Sequence, residues 1–337
     1  MKAAYVFVQT NEADENRVLA FERGADGGLT PRGGVATGGR GDGVPHLTSQ
    51  GSVVLASDGD HLLVTNAGSH DISVLSVAQT PQVLAVSPSQ GEAPKSVAEH
   101  DGLVYVLNAG DGSLVGFSLA SGKLTPLDGS RRDLGGDADP AQAGFTPDGS
   151  AIVVTDRAAN AIHVYPVGAD GLLGEPSTTM SAGPTPYGFA FAAGDTLVVT
   201  EAFGAAKGKA AASSYRLDGS AARSITKSLG NGRSEICWAV ASPDGRDVFT
   251  TNFADSAVSR YRVGEDGALE LLDAAAATAD DGQPGLRDED LSGDGRFLYA
   301  LDADGGRVFA WRVENGSLER VGSWNGLPAT VAGLAAS

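Results

Sequence analysis

Ser242-Pro243-Asp244-Gly245-Arg246-Asp247-Val248-Phe249-Thr250-Thr251-Asn252 decides the fold. Asp-Gly tolerates the positive φ of a tight hairpin, so the stretch reads as a turn feeding a β-branched and aromatic strand that stops on a polar turn-former. Immediately before it, Glu235-Ile236-Cys237-Trp238-Ala239-Val240 reads as another strand. After it come Val258-Ser259-Arg260-Tyr261 and a second turn at Asp266-Gly267. Together these form one four-stranded antiparallel meander.

The same unit recurs along the chain. Its second strand ends at Asn11, Asn66, Asn108, Asp156, Glu201, Asn252 and Asp302, positions 42 to 55 residues apart. Its third strand carries an aromatic in six of the seven units, at Phe21, Phe117, Tyr165, Tyr215, Tyr261 and Trp311. Units of this length fit propeller blades, whereas ankyrin and tetratricopeptide units are shorter and helical. No 3.6-residue apolar period is sustained, which argues against helical layers. The first turn is marked at Asp58, Asp101, Asp148, Gly194, Asp244 and Asp294. The seventh marker is missing where the chain is cut. Val331-Ala332-Gly333-Leu334-Ala335 reads as a first strand, and Tyr5-Val6-Phe7-Val8 as the second strand that should follow it. The expectation is one seven-bladed β-propeller domain over residues 1–337, all-β, its ring closed when C-terminal residues 329–336 complete the first blade and remove the open sheet edges.

Composition narrows the partners. With 24 basic against 42 acidic side chains the net charge is −18, so nucleic acid is not expected as a partner. Fourteen Asp-Gly pairs make much of that charge turn chemistry. The single cysteine, Cys237, excludes an internal disulfide and a cysteine-based metal cluster. No apolar run reaches bilayer-spanning length and the N-terminus has no apolar signal core, so a cytoplasmic protein without membrane contact is expected.

In a propeller the loops after second strands and those leading into first strands share one face around the channel mouth, where a site is expected. His46 and His70 fall in such loops, as candidates for acid/base work or binding. His61 and His100 fall in turns of the opposite face and are set apart, and His163 lies within a third strand. Asn and Asp at strand ends ordinarily hydrogen-bond the following turn. Glutamate is a poor turn-former, which singles out Glu201. Seven oxygen-bearing side chains around one axis also suit a hard cation such as Ca²⁺. Arg287, beside Asp288, Glu289 and Asp290, either neutralises those acids or anchors a substrate carboxylate or phosphate. Tyr187 and Trp238 are candidate pocket aromatics.

Ser242-Pro243-Asp244-Gly245-Arg246, Thr250-Thr251-Asn252 and Tyr261-Arg262-Val263-Gly264-Glu265-Asp266-Gly267 resemble the lactonase-like seven-bladed propeller family, which includes bacterial 6-phosphogluconolactonase and fungal carboxymuconate-lactonizing enzyme. The resemblance covers essentially the whole chain. It implies a Pro-His-x-His and a Gly-Pro-Arg-His segment leading into two central blades, a Glu after the second of these, and a Ser-Asn-Arg one blade later. The corresponding stretches are Pro140-Ala141-Gln142-Ala143, Gly183-Pro184-Thr185-Pro186, Thr200-Glu201 and Thr251-Asn252-Phe253, where only the glutamate is kept. A standard 6-phosphogluconolactonase is therefore not expected. The expected function is hydrolysis or isomerisation of a small cyclic ester, with Glu201 and His46 as acid/base groups and Gln50, Asn66, His70, Tyr187, Trp238 and Arg287 binding substrate. Either no cofactor is needed, or Ca²⁺ is held by Glu201, Asn252 and Asp302. The alternative is a non-catalytic propeller that binds a small molecule or a protein partner through the same face.

Overall fold

The structure is a computed structural model that describes residues 4–44, 50–218, 221–279 and 283–337. These residues form seven antiparallel sheets, six of four strands and one carrying an extra two-residue strand, Arg132–Asp133. Among the described residues helix is confined to two three-residue turns, Ala193–Asp195 and Phe203–Ala205. No helix among the described residues is long and apolar enough to cross a membrane. The sheets are the blades of a propeller, numbered 1 to 7 here from the one holding the N-terminus.

The second strands explain the radial packing. Thr196–Glu201 and Phe297–Asp302 are buried at every position, because each blade presses one face on the blade before it and the other on the blade after it. A strand covered on both faces reads as a continuous apolar run. The core divides accordingly into clusters between neighbouring blades, such as Leu63, Ile72 and Val74 of blade 2 against Val97, Val106 and Phe117 of blade 3. The third-strand aromatics are the large pieces of these clusters; all six are buried, and each removes roughly 150–250 Å² from water.

Ring closure is as the sequence implies. Ala332–Ala336 is the innermost strand of blade 1 and pairs with Ala4–Gln9 in the register Val6↔Ala336, Phe7↔Ala335 and Val8↔Leu334. The Asp-Gly turns also behave as read. In Asp148-Gly149 the carboxylate accepts the Ser150 amide at 3.0 Å while Gly149 takes φ 69°, and hydrogen bonds from Thr146 and Ser150 hold the Asp148 pKa down at about 2.

The innermost strands set the geometry of the axis: Ala332–Ala336, Val53–Leu55, Pro94–His100, Pro140–Phe145, Pro186–Ala192, Ile236–Ala241 and Leu286–Leu291 in blades 1 to 7. Six of them carry a bulge at their upper end against the second strand, beginning at Pro94, Pro140, Pro186, Ile236 and Leu286 and, in blade 1, at Gly333 opposite Gln9. The bulge turns the following side chains toward the channel mouth. Each inner strand also leaves a free edge on the channel, and side chains cap these edges. Gln142 donates to the Phe189 carbonyl and accepts its amide. Gln50 does the same for Ala239, at 2.8 and 3.2 Å. Gln50 leads into blade 2 and Ala239 belongs to blade 6, so the Gln50 side chain reaches across the axis.

Candidate functional site

On the upper face a cavity of about 260 Å³ opens between blades 4, 5 and 6. It is lined by Arg157, which follows the second strand of blade 4; by Thr185, Tyr187, Ala202, Gly204 and Ala205 of blade 5; and by Glu235, Cys237 and Phe253 of blade 6. These are the loop classes in which a propeller places function. The backbone here is unusual, with Thr185, Ala205 and Glu235 in the left-handed region at φ 59°, 64° and 55°. A β-branched residue in that region is strained and needs support. Thr185 receives it from Asn160, whose side-chain oxygen accepts the Thr185 amide at 2.6 Å, and from its own hydroxyl, which accepts the Gly204 amide at 3.0 Å. Ala93 adopts the same conformation before the inner strand of blade 3. The left-handed residue is thus a device of the fold, and what distinguishes blade 6 is that a glutamate occupies it.

Three groups give the cavity chemistry. The Glu235 carboxyl is half-buried, and burial, reinforced by Asp255, raises its pKa above the ordinary value. The Tyr187 hydroxyl is buried with no hydrogen-bond partner. Its pKa is pushed well above 10 by burial, with smaller upward effects from Cys237, Asp139 and Glu235 and a downward one from Arg157. The Arg157 guanidinium lies 5.0 Å from the centre of the Tyr187 ring and pairs with Asp139. Cys237 is no nucleophile: burial raises its pKa far above that of a free thiol, and its Sγ–H donates to the Glu235 carbonyl at 3.4 Å.

Most of the residues read from the sequence lie outside this cavity. Glu201 is fully buried and saturated. Its Oε1 accepts Ser213 Oγ at 2.5 Å, the Gly183 amide at 2.8 Å and Ser181 Oγ at 3.3 Å, while Oε2 accepts Ser228 Oγ at 2.6 Å. Its role is to tie the loop after blade 4 to blade 5. Asn66 is committed in the same way, to Asn16, Thr37, Asp71 and Ser73. Asn252 bonds Asn231 and Ser259, and Asp302 bonds Arg307 and the Gly305 amide. Glu201, Asn252 and Asp302 therefore hold separate turns of three blades with their oxygens already spoken for, and as a donor set they do not fit a shared Ca²⁺. His70 is exposed, and its Nδ1 accepts the Ala93 amide at 2.9 Å. His46 lies outside the described residues.

Among the described residues, Tyr187 alone of those predicted lines the cavity, and two others stand behind it. Trp238 is 1% exposed with its ring 5.7 Å from Tyr187. Arg287 stacks at 4.0 Å on Phe253, a cavity wall, and reaches Asp304 at 3.5 Å. Burial lowers its pKa to about 10. Arg287 does not neutralise the acids that follow it, because the bulge sends it upward while Asp288, Glu289 and Asp290 line the channel below Gln50. His100, set apart on sequence grounds, stands at the rim of that lower channel. Glu235 went unnoticed as a site residue; its one signal was a glutamate where a left-handed residue precedes an inner strand.

Seven sheets with the terminal strands sharing one blade settle the architecture. The chain has a seven-bladed β-propeller fold. A Bacteroides uniformis protein provisionally assigned as a 6-phosphogluconolactonase superposes with a TM-score of 0.77 at 18% identity, over 98% of this chain and 99% of the other. The periplasmic gluconolactonase PpgL of Pseudomonas aeruginosa gives 0.74 at 16% identity over 99% of both chains. A Lactobacillus plantarum protein gives 0.74 at 20% identity over 98% of both. No protein-family profile and no curated sequence matches the chain. At such identities the likeness establishes architecture, and chemistry rests on the cavity itself.

Proposed function

We propose that the upper cavity binds a small cyclic ester and hydrolyses it. The observation that carries this reading is the meeting, in one cavity, of a carboxyl with raised pKa, a buried phenol lacking a partner and a guanidinium over that phenol's ring. Ester hydrolysis needs a base for water and donors for the oxygen that becomes negative. Glu235 takes the proton of the attacking water. The Tyr187 O–H, which has no acceptor in the protein, donates to the carbonyl oxygen as it gains charge, and Arg157 stabilises that charge. Collapse of the tetrahedral intermediate expels the ring oxygen, which takes up a proton and leaves as the alcohol of an open-chain hydroxy acid. A volume of about 260 Å³ suits a five- or six-membered ring with short substituents, being below the size usual for larger ligands. The structural neighbours named for lactone hydrolysis support the class of reaction.

A second reading, binding without turnover, draws support from the lining, which holds one carboxyl and no histidine among the described residues. A panel of five- and six-membered lactones, with hydrolysis followed by proton release, separates the two. Turnover that depends on Glu235 and Tyr187 supports the first. Saturable binding with no acid released supports the second.

A further inference from the structure

Of the described residues that line the upper cavity, Arg157, Glu235 and Tyr187 supply the groups that the proposed hydrolysis uses. The rest of that lining is Thr185, Ala202, Gly204, Ala205, Cys237 and Phe253. Ala202, Gly204, Ala205 and Phe253 have no polar side chain, and the Cys237 thiol already donates to the Glu235 carbonyl at 3.4 Å. The Thr185 hydroxyl accepts the Gly204 amide at 3.0 Å, which leaves its O–H able to donate to one ligand oxygen.

The backbone around this wall is paired within itself. The Ala202 amide donates to the Thr185 carbonyl at 2.9 Å, the Phe203 amide to the Pro184 carbonyl at 3.2 Å, and the Ala205 amide to the Ala202 carbonyl at 3.0 Å. The Phe253 amide donates to the Glu235 carbonyl at 2.9 Å. The aromatic part of the wall is held in place from outside the cavity, by the Arg287 guanidinium 4.0 Å from the centre of the Phe253 ring and by the Trp238 ring 5.7 Å from that of Tyr187. Such a surface treats ligand groups unequally. A hydroxyl that leaves water for it finds no partner, at a cost of roughly tenfold or more in binding. A methylene that leaves water for it gains about fourfold.

We propose that the lactone taken by this cavity carries a short alkyl substituent whose methylenes lie against Ala205 and Phe253, in place of the hydroxylated ring of a sugar lactone. The ring chemistry rests on the hydrolysis proposed above, whereas the substituent is selected by the apolar wall.

γ-Butyrolactone, γ-valerolactone, γ-caprolactone and D-ribono-1,4-lactone share one five-membered ring, and proton release together with calorimetric titration of the full chain tests the proposal on them. Along the alkyl series kcat/KM is expected to rise about fourfold per methylene. D-Ribono-1,4-lactone has three hydroxyls, of which Thr185 can meet one, and is expected about 10²-fold or more below γ-caprolactone. Ala205→Asn places a polar side chain on the wall at a backbone φ of 64°, which asparagine accepts, and should bring these two lactones about tenfold closer. Equal turnover of the two, a flat alkyl series or a ratio unchanged in Ala205→Asn would overturn the proposal while leaving the hydrolysis standing. If the protein opens no lactone, the hydrolysis falls and the affinities decide. γ-Caprolactone bound more tightly than D-ribono-1,4-lactone by a similar factor upholds the alkyl selectivity, and equal or undetectable binding of both overturns it.

Discussion

Gln50 Nε2 donates to the Ala239 carbonyl at 2.8 Å while Gln50 Oε1 accepts the Ala239 amide at 3.2 Å, joining blade 2 to blade 6 across the propeller axis. Both backbone groups belong to a buried strand edge with no neighbouring strand. Gln50→Leu leaves them unsatisfied, and the expected loss is about 1–3 kcal/mol of stability. In urea this appears as a lower midpoint with an unchanged slope, since the surface exposed on unfolding is nearly the same. An unchanged midpoint would show that the bridge carries no weight.

Glu201 is expected to matter for folding rather than for turnover. Glutamine at this position turns one acceptor oxygen into a donor facing Ser213 or Ser228, costing on the order of 1.5–3 kcal/mol for a charged acceptor. The folded fraction of Glu201→Gln should retain the wild-type kcat/KM for any lactone the protein opens. A large fall in kcat with unaltered stability would instead place Glu201 in the chemistry.

Tyr187→Phe separates function from structure in the opposite sense. The hydroxyl is buried and unpartnered, so its removal is expected to leave stability unchanged or raise it by up to about 1 kcal/mol. If the O–H is held for a developing oxyanion, kcat falls by roughly 10²-fold or more. Thermal unfolding and steady-state kinetics on the same preparation decide the matter.

Stability should pass its maximum on the acidic side of neutrality. Asp288 and Asp290 titrate at about 8 and about 7 when folded, against an ordinary 3.8. The folded state thus binds more protons than the unfolded one between roughly pH 4 and pH 8, and stability falls as pH rises across that window. Asp58, Asp148, Asp244 and Asp294 in the turns have lowered values, so their contribution is present above about pH 4 and is lost on further acidification. Asp290→Asn should flatten the neutral-side decline, as seen in denaturation midpoints across pH. A decline of the same steepness in the variant would mean that other groups govern it.

The fold was legible because its signals are local. Asp-Gly turns, aromatic third strands and the polar ends of second strands recur at blade spacing, and Val331-Ala332-Gly333-Leu334-Ala335 could be matched to Tyr5-Val6-Phe7-Val8 because six other blades showed what was missing. The site was less legible because its determinants are distant in sequence. Glu201 looked anomalous only until Ser181, Ser213 and Ser228 came into contact with it. Arg287 and its acidic neighbours looked like one loop, yet a bulge followed by an inner strand sets Arg287 against Phe253 and the acids along the channel wall. Glu235 becomes a candidate base through its backbone conformation and a cavity shared with Arg157 and Tyr187, neither of which a local pattern encodes.

The proposed hydrolysis rests on Glu235 as the base that activates water in the upper cavity. Its most direct test is the kcat/KM of purified wild-type and Glu235→Gln protein on a lactone turned over by the wild type, with folding of both verified by thermal unfolding. A loss of about 10²–10⁴-fold at nearly unchanged stability is expected; wild-type turnover by folded Glu235→Gln would remove Glu235 from the chemistry.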